Sequence, residues 1–217
     1  MTSKYLEGAR RIAPLAPAAA SFGAAFGVLA GTAGMGDVAA IVMSATTFAG
    51  AAQFAATSVL RDGGTVIAAI AAAALLNLRY LAISVAIAPA FSGPRVKRLL
   101  ESQLIVDESW AISQVGGGRI DRRLLVGAGL LLYPFWIGGT ALGALAGDVL
   151  GDPEKLGLDA AFPALFLALL VTLLVSRRAV AAALAGGMIA LALLPIAPAG
   201  VPVIAASAVC LAGLRRR

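Results

Sequence analysis

The 217-residue chain has no histidine and a single cysteine. Without histidine there is no His-based catalytic triad, no His-rich metal site and none of the usual proton shuttles of neutral pH. Cys210 lies inside an apolar run, so an intrachain disulfide is excluded and the thiol reads as a packed core group. Charge is also scarce: 13% of residues are charged, against about 25% in soluble domains. No Asp or Glu falls within the core of any apolar segment. An enzyme acting on lipid would therefore lack a nucleophile–base pair at depth, and the sequence reads as a non-enzyme.

What the chain has is apolar surface. Sixty per cent of residues are hydrophobic and mean hydropathy is +0.94. A globule of this size still needs a polar shell, whereas a bilayer absorbs such a composition. A helix crosses the hydrocarbon with about 20 apolar residues. Stretches near that length cover about 12–33, 38–60, 65–90, 124–146, 160–175, 179–194 and 201–214. The expected fold is all-α: a polytopic integral membrane protein of six to seven transmembrane helices, forming one membrane-embedded domain over 1–217. Lys4, Arg10 and Arg11 before an Ala-rich run imitate a signal peptide, but the further apolar segments make this a first membrane helix. Pro14 and Pro17 fall in its first turn, where the missing N–H costs nothing. The net charge of +6 does not indicate nucleic acid, because the basic residues cluster between apolar runs, as loop anchors at a lipid surface do.

A polar linker, 91–123, is the one long hydrophilic stretch. Its residues 96–115 are weakly amphipathic, with Leu99, Leu100, Leu104, Trp110 and Ile112 as membrane-facing candidates, and predict a helix lying at the interface. Glycines 23, 27 and 31 recur in spacing at 139, 143 and 147, on one helical face suited to close packing. With Asp37-Val38-Ala39-Ala40 echoed by Asp159-Ala160-Ala161, they suggest a two-fold repeat of three segments. Charge counting places the C-terminus in the cytoplasm, with eleven of sixteen Lys and Arg residues on that side. Lys4, Arg10 and Arg11 object to seven plain crossings. A broken or re-entrant second segment, interrupted at Phe48-Ala49-Gly50-Ala51-Ala52-Gln53, would answer them.

Few polar residues interrupt the apolar runs, and each has two readings. Arg79 lies within the third segment, where a charge costs about 2.5–3.5 kcal/mol and marks a pathway or a partner. Its helical neighbours Leu75, Ala82 and Ile83 cannot pair with it. Either a substrate carboxylate meets the guanidinium fork, or Arg79 is structural, bonding to freed carbonyls, Asp37, Asp107, Glu108 or Asp159. Asn77, Tyr80 and Ser84 share another face, as interhelical glue or as cavity lining. Gln53, the one amide of its segment, either binds a substrate ammonium or carboxylate, or satisfies a broken backbone. Asp107 and Glu108 are either a solvated face or a cytoplasmic gate and proton acceptor.

Phe48-Ala49-Gly50-Ala51-Ala52-Gln53-Phe54, Leu76-Asn77-Leu78-Arg79-Tyr80 and Asp107-Glu108-Ser109-Trp110 resemble the AzlC family of membrane permeases, the branched-chain amino acid exporter family. Phe22-Gly23 through Phe26-Gly27 and Gly157-Leu158-Asp159 before Phe162-Pro163-Ala164 extend the resemblance over most of 12–175. It implies export of leucine, isoleucine, valine or related amino acids across the cell membrane, with a small AzlD-type membrane subunit as partner. Arg79, Asn77, Gln53 and Tyr80 become the expected substrate-binding set, and Asp107 and Glu108 the expected gating or coupling residues. No cofactor or metal is expected. With no ATP-binding loop, coupling would come from an ion gradient or the substrate gradient, as two halves rock about a mid-membrane site. Transport of another solute, or a structural subunit whose partner carries the pathway, are the competing readings.

Overall fold

The computed structural model describes residues 3–115, 119–150 and 176–197, with isolated positions between 164 and 206. The expected segments at 160–175 and 201–214, with Asp159, Cys210 and the terminal arginines, lie almost wholly outside the described residues. Among the described residues the chain is helical and forms no strand, only an isolated bridge between Gln114 and Ile120. In chain order the helices are α1 (Lys4–Ile12), α2 (Ala16–Thr32), α3 (Asp37–Thr47), α4 (Gly50–Arg61) and α5 (Val66–Asn77). They continue with α6 (Arg79–Ile87), α7 (Arg95–Ser102), α8 (Asp107–Ser113), α9 (Arg122–Leu150) and α10 (Arg177–Leu193). Two stretches, Lys4–Thr32 and Arg122–Gly147, are long and apolar enough to cross a bilayer.

The first of these starts earlier than its apolar run. The helix begins at Lys4, and α1 passes into α2 through one 3₁₀ turn, Ala13–Leu15. Pro14 and Pro17 thus lie within a continuous helical stretch, not in the first turn of a membrane helix. The 3₁₀ turn accommodates them, because its tighter ladder tolerates the missing donors locally.

This stretch lies against α9 and runs in the same direction. Near their starts Gly8 abuts the Leu124 backbone and Gly127 that of Tyr5; higher up Gly27 abuts Thr140 and Gly143 abuts Ala24. The contacts are reciprocal, since Gly23 also meets Trp136 as Gly139 meets Ala20. A β-carbon on Gly27 or Gly143 would lie 2.3 Å and 2.0 Å from those backbone oxygens. Backbone therefore touches backbone, which only glycine permits. Of the six glycines expected to pack, four do so; Gly31 and Gly147 have open space around them. Phe26, Leu29, Ala128 and Leu132 fill the core beside this seam.

Gly34 and Gly36, both at positive φ, turn the chain from α2 into α3. The second apolar segment is not one helix: it breaks between Thr47 and Gly50, and α4 doubles back beside α3. Ser44 and Gln53 share a side-chain hydrogen bond, although residues nine apart on one helix would be separated by about 13 Å. Met43 likewise packs on the α4–α5 cluster of Ala56, Val59, Ala69 and Ala72. The third segment, α5 and α6, tightens into a 3₁₀-type turn at Leu78, which keeps helical dihedrals, and ends with Ile87 and Phe91 against Leu125 near the start of α9.

The linker corrects the expectation of one interfacial helix. It forms two short helices, and the chain between them enters the bundle: Leu104 packs on Gly129, and Val106 joins the core with Ala128 and Leu132. Leu99 and Leu100 are exposed, while Leu104 is buried and Trp110 and Ile112 are half-buried. Ser109 turns the corner, its hydroxyl accepting the Val106 N–H at 2.9 Å and donating to the Leu104 carbonyl. Two ion pairs tie this end together, Glu101 with Arg122 and Lys4 with Asp121.

Adding a methyl at Gly27 or Gly143 should force the two long helices apart, costing about 1–3 kcal/mol. Gly31→Ala and Gly147→Ala should be neutral or gain up to about 1 kcal/mol of helix propensity. Thermal unfolding in detergent separates the two classes, and equal effects at all four positions would refute the seam. Asp121 supplies a second test. Partial burial works to raise its carboxyl, but Lys4 and the backbone N–H groups of Arg123 and Leu124 outweigh it and hold it below its ordinary value. A depressed carboxyl supports the fold above its unfolded pKa of about 3.9, and that support is lost as pH falls through the folded value. Asp121→Asn should therefore melt below wild type at pH 7, with the gap closing as pH drops beneath the ordinary carboxylate range.

Candidate functional site

Breaking a helix inside an apolar bundle exposes carbonyls at one end and N–H groups at the other. At the α3 terminus the carbonyls are met one by one. Ser44 O accepts the Phe48 N–H at 3.2 Å; Ala45 O accepts the Tyr133 hydroxyl at 2.6 Å. The Gln103 amide nitrogen donates to Ala45 O at 3.2 Å and Thr46 O at 2.9 Å. Phe48 makes the turn in the left-handed region, φ 42°, where a bulky residue is strained. Its buried ring is held edge-on against Tyr133, centroids 5.0 Å apart.

Below the break runs a closed circuit of buried polar groups. Gln53 Nε2 donates to Ser44 Oγ at 2.7 Å, and Ser44 Oγ lies 2.8 Å from Thr140 Oγ1. Thr140 spends its proton on the Trp136 carbonyl at 3.0 Å, so Ser44 is the donor to Thr140. Trp136 Nε1 returns to Gln53 Oε1 at 3.1 Å. Thr57 donates to the Gln53 carbonyl at 2.8 Å. Ser44, Gln53 and Thr140 are all 0% exposed, and Gly50 leaves room for the Trp136 ring. The ring joins α3, α4 and α9 through four consecutive side chains.

Beside the break is a cavity of about 170 Å³. Thr47, Phe48 and Ala49 line it from the interruption of the second segment, and Asn77, Tyr80 and Ser84 from one face of the third. Ser102, Gln103 and Ile105 close it from the linker. Asn77 Oδ1 is buried with no hydrogen-bond partner among the described residues, as is Trp110 Nε1. A buried unsatisfied acceptor is costly, and with nothing holding the Asn77 amide a flip would turn that oxygen toward the cavity.

Of the sequence-predicted residues, the cavity gathers Asn77 and Tyr80, with Ser84 beside them as their shared face requires. Arg79 opens α6 two residues beyond Asn77; the placement of its side chain lies outside the described residues. Gln53 is elsewhere, both ends of its amide committed to Ser44 and Trp136. Asp107 and Glu108 open α8, outside the lining. Sequence reasoning missed Phe48, Ser102 and Gln103. Gln103 lies in a polar linker, where an amide draws no notice, and only its long-range bonds to α3 mark it.

A family profile described as AzlC protein matches residues 14–150. An uncharacterized membrane protein of Archaeoglobus fulgidus is 37% identical over 171 residues, 77% of this chain and 74% of that protein. A Bacillus subtilis protein named "Branched-chain amino acid transport protein AzlC" is 25% identical over 152 residues, 69% of this chain and 59% of its own length. No solved structure matches.

The polar circuit makes a stability prediction. Gln53→Met keeps the volume but strands Trp136 Nε1, and should cost about 1–3 kcal/mol. Ser44→Ala and Thr140→Val should couple, the double variant losing less than the sum by about 0.5–3 kcal/mol. Strict additivity in thermal unfolding would show that the circuit is not closed.

Proposed function

The chain belongs to the AzlC family, and from that premise we propose that it is a secondary transporter exporting branched-chain or similar hydrophobic amino acids across the cell membrane. It is read as the large subunit of a two-component permease, completed by a small AzlD-type membrane subunit. The family's transport members, among them the Bacillus subtilis relative, support a carrier and not an enzyme. The observation that carries the proposal is the polar-lined cavity where the broken second apolar segment meets the third. Interrupted helices at mid-membrane are the recurring way transporters present backbone and side-chain polarity to a solute.

The topology that fits has α1–α2 crossing, α3–α4 entering and leaving from the far side, α5–α6 returning and α9 crossing again. One domain over 1–217 then has six crossings and one re-entrant hairpin, with the segments at 160–175, 179–194 and 201–214 completing it. Lys4, Arg10 and Arg11 join Arg95, Lys97, Arg98, Arg119, Arg122 and Arg123 at one end, while α4 and α5 connect at the other beside Arg61. Basic residues favour the cytoplasm, so both termini are cytoplasmic, and the re-entrant hairpin answers the objection raised by the N-terminal charges. The reciprocal glycine contacts support two related halves.

In this reading Arg79 holds the substrate carboxylate, with Asn77 and Tyr80 in the wall. Asp107 and Glu108, just beyond Ile105 in the linker, act in gating or coupling. Gln53 supports the break through its bonds to Ser44 and Trp136 and acts on transport only through the fold.

Cells loaded with leucine-, isoleucine- and valine-containing peptides should export the free amino acids faster when they express the chain and its small subunit. Losing a hydrogen bond to a charged group costs about 1.5–3 kcal/mol, so Arg79→Ala should slow efflux by roughly 10- to 100-fold. Unchanged efflux with the protein in the membrane would leave a carrier of another solute; full efflux by the Arg79→Ala variant would remove the carboxylate assignment.

A further inference from the structure

We infer that Gln103 and Asn77 form an ammonium subsite in the cavity, so that the carrier recognises its substrate by a positively charged amine as well as by its carboxylate. The inference rests on the amino-acid reading above and adds a residue, Gln103, that lies outside the sequence motifs. The orientation of the Gln103 amide is set by chemistry. Its nitrogen lies 3.2 Å and 2.9 Å from the carbonyl oxygens of Ala45 and Thr46, and carbonyls only accept. The NH₂ group must face α3, which leaves Oε1 as the free end of a side chain that lines the cavity. Among the described residues no donor is recorded to that oxygen.

Asn77, which lines the same cavity, makes no side-chain hydrogen bond among the described residues; its Oδ1 is buried, and with nothing fixing the amide a flip presents that oxygen to a donor in the cavity. With the Asn77 amide so turned, two amide oxygens meet the hydroxyls of Ser84 and Ser102 on one small cavity and make an acceptor-rich wall. A primary ammonium brings three N–H donors and no acceptor, and a desolvated one must find such a wall. The α3 helix ends at Thr47 on the same cavity, and the negative end of a helix dipole favours a cation there. A neutral hydroxyl or a carboxylate would draw less from these groups.

Gln103 also ties the linker to α3, so its loss combines a binding effect with a structural one; Asn77 has no recorded tie and separates the two. The test is displacement of labelled leucine from membrane vesicles containing the full chain together with its small subunit. Two competitors are used: leucinol, which keeps the ammonium and lacks the carboxylate, and 4-methylpentanoate, which keeps the carboxylate and lacks the ammonium. Wild type should be displaced by both. Asn77→Leu and Gln103→Met should weaken leucine and leucinol by about 10-fold or more. Neither should change the constant for 4-methylpentanoate, a ratio that does not depend on the fraction of folded protein. Equal weakening of both competitors, or no displacement of leucine by leucinol in wild type, would overturn the subsite while leaving the amino-acid reading intact. Failure of wild type to bind leucine at all would overturn both.

Discussion

A helix interrupted in apolar surroundings is tolerable only if its freed backbone groups find partners, and the break at Phe48 organises much of what surrounds it. Tyr133 and Gln103 cap the end of α3 from opposite directions, one from α9 and one from the linker. The circuit through Gln53, Ser44, Thr140 and Trp136 then clamps both arms of the hairpin to α9. Each of these residues is fixed by geometry that the break demands. The left-handed turn at Phe48 persists because the structure around it over-determines it.

The hairpin is clamped to α9, and α9 in turn packs backbone on backbone against α1–α2. Glycine contacts at backbone distance let the two long helices approach without intervening side chains, so their register is set by shape alone. At their shared starting end, Lys4–Asp121 and Glu101–Arg122 join α1 and α7 to the first turn of α9. Arg122 also lies over the Phe91 ring, 5.9 Å from its centroid, which brings in the end of the third segment. The close-packed pair thus forms one wall of the protein, and the elements that line the cavity are those attached to it by hydrogen bonds and charge.

This division suits a carrier. The cavity walls come from the second and third segments and the inward turn of the linker, joined largely by side-chain hydrogen bonds, while the glycine seam packs backbone on backbone. Gln103 belongs to both parts, since it caps α3 and lines the cavity. A change at the cavity that moves its amide would therefore be felt at the C-terminus of α3.

Composition alone determined that the chain is helical and membrane-embedded: so much apolar surface and so little charge have no soluble solution. The spacing of Gly23, Gly27, Gly139 and Gly143 announced a close helix contact, because helical periodicity puts them on one face. The shared face of Asn77, Tyr80 and Ser84 was legible for the same reason, and it survived the 3₁₀-type turn at Leu78. Local pattern could not tell which polar groups serve the backbone and which face open space. Gln53 and Gln103 are the same amide in sequence, yet one is consumed within a buried circuit and the other lines the cavity. Nor could it show that Leu104 and Val106 turn inward, since an amphipathic stretch reads alike against lipid and against Gly129. Those choices depend on residues far apart in the chain, and only the packing of α3, α9 and the linker against one another decided them.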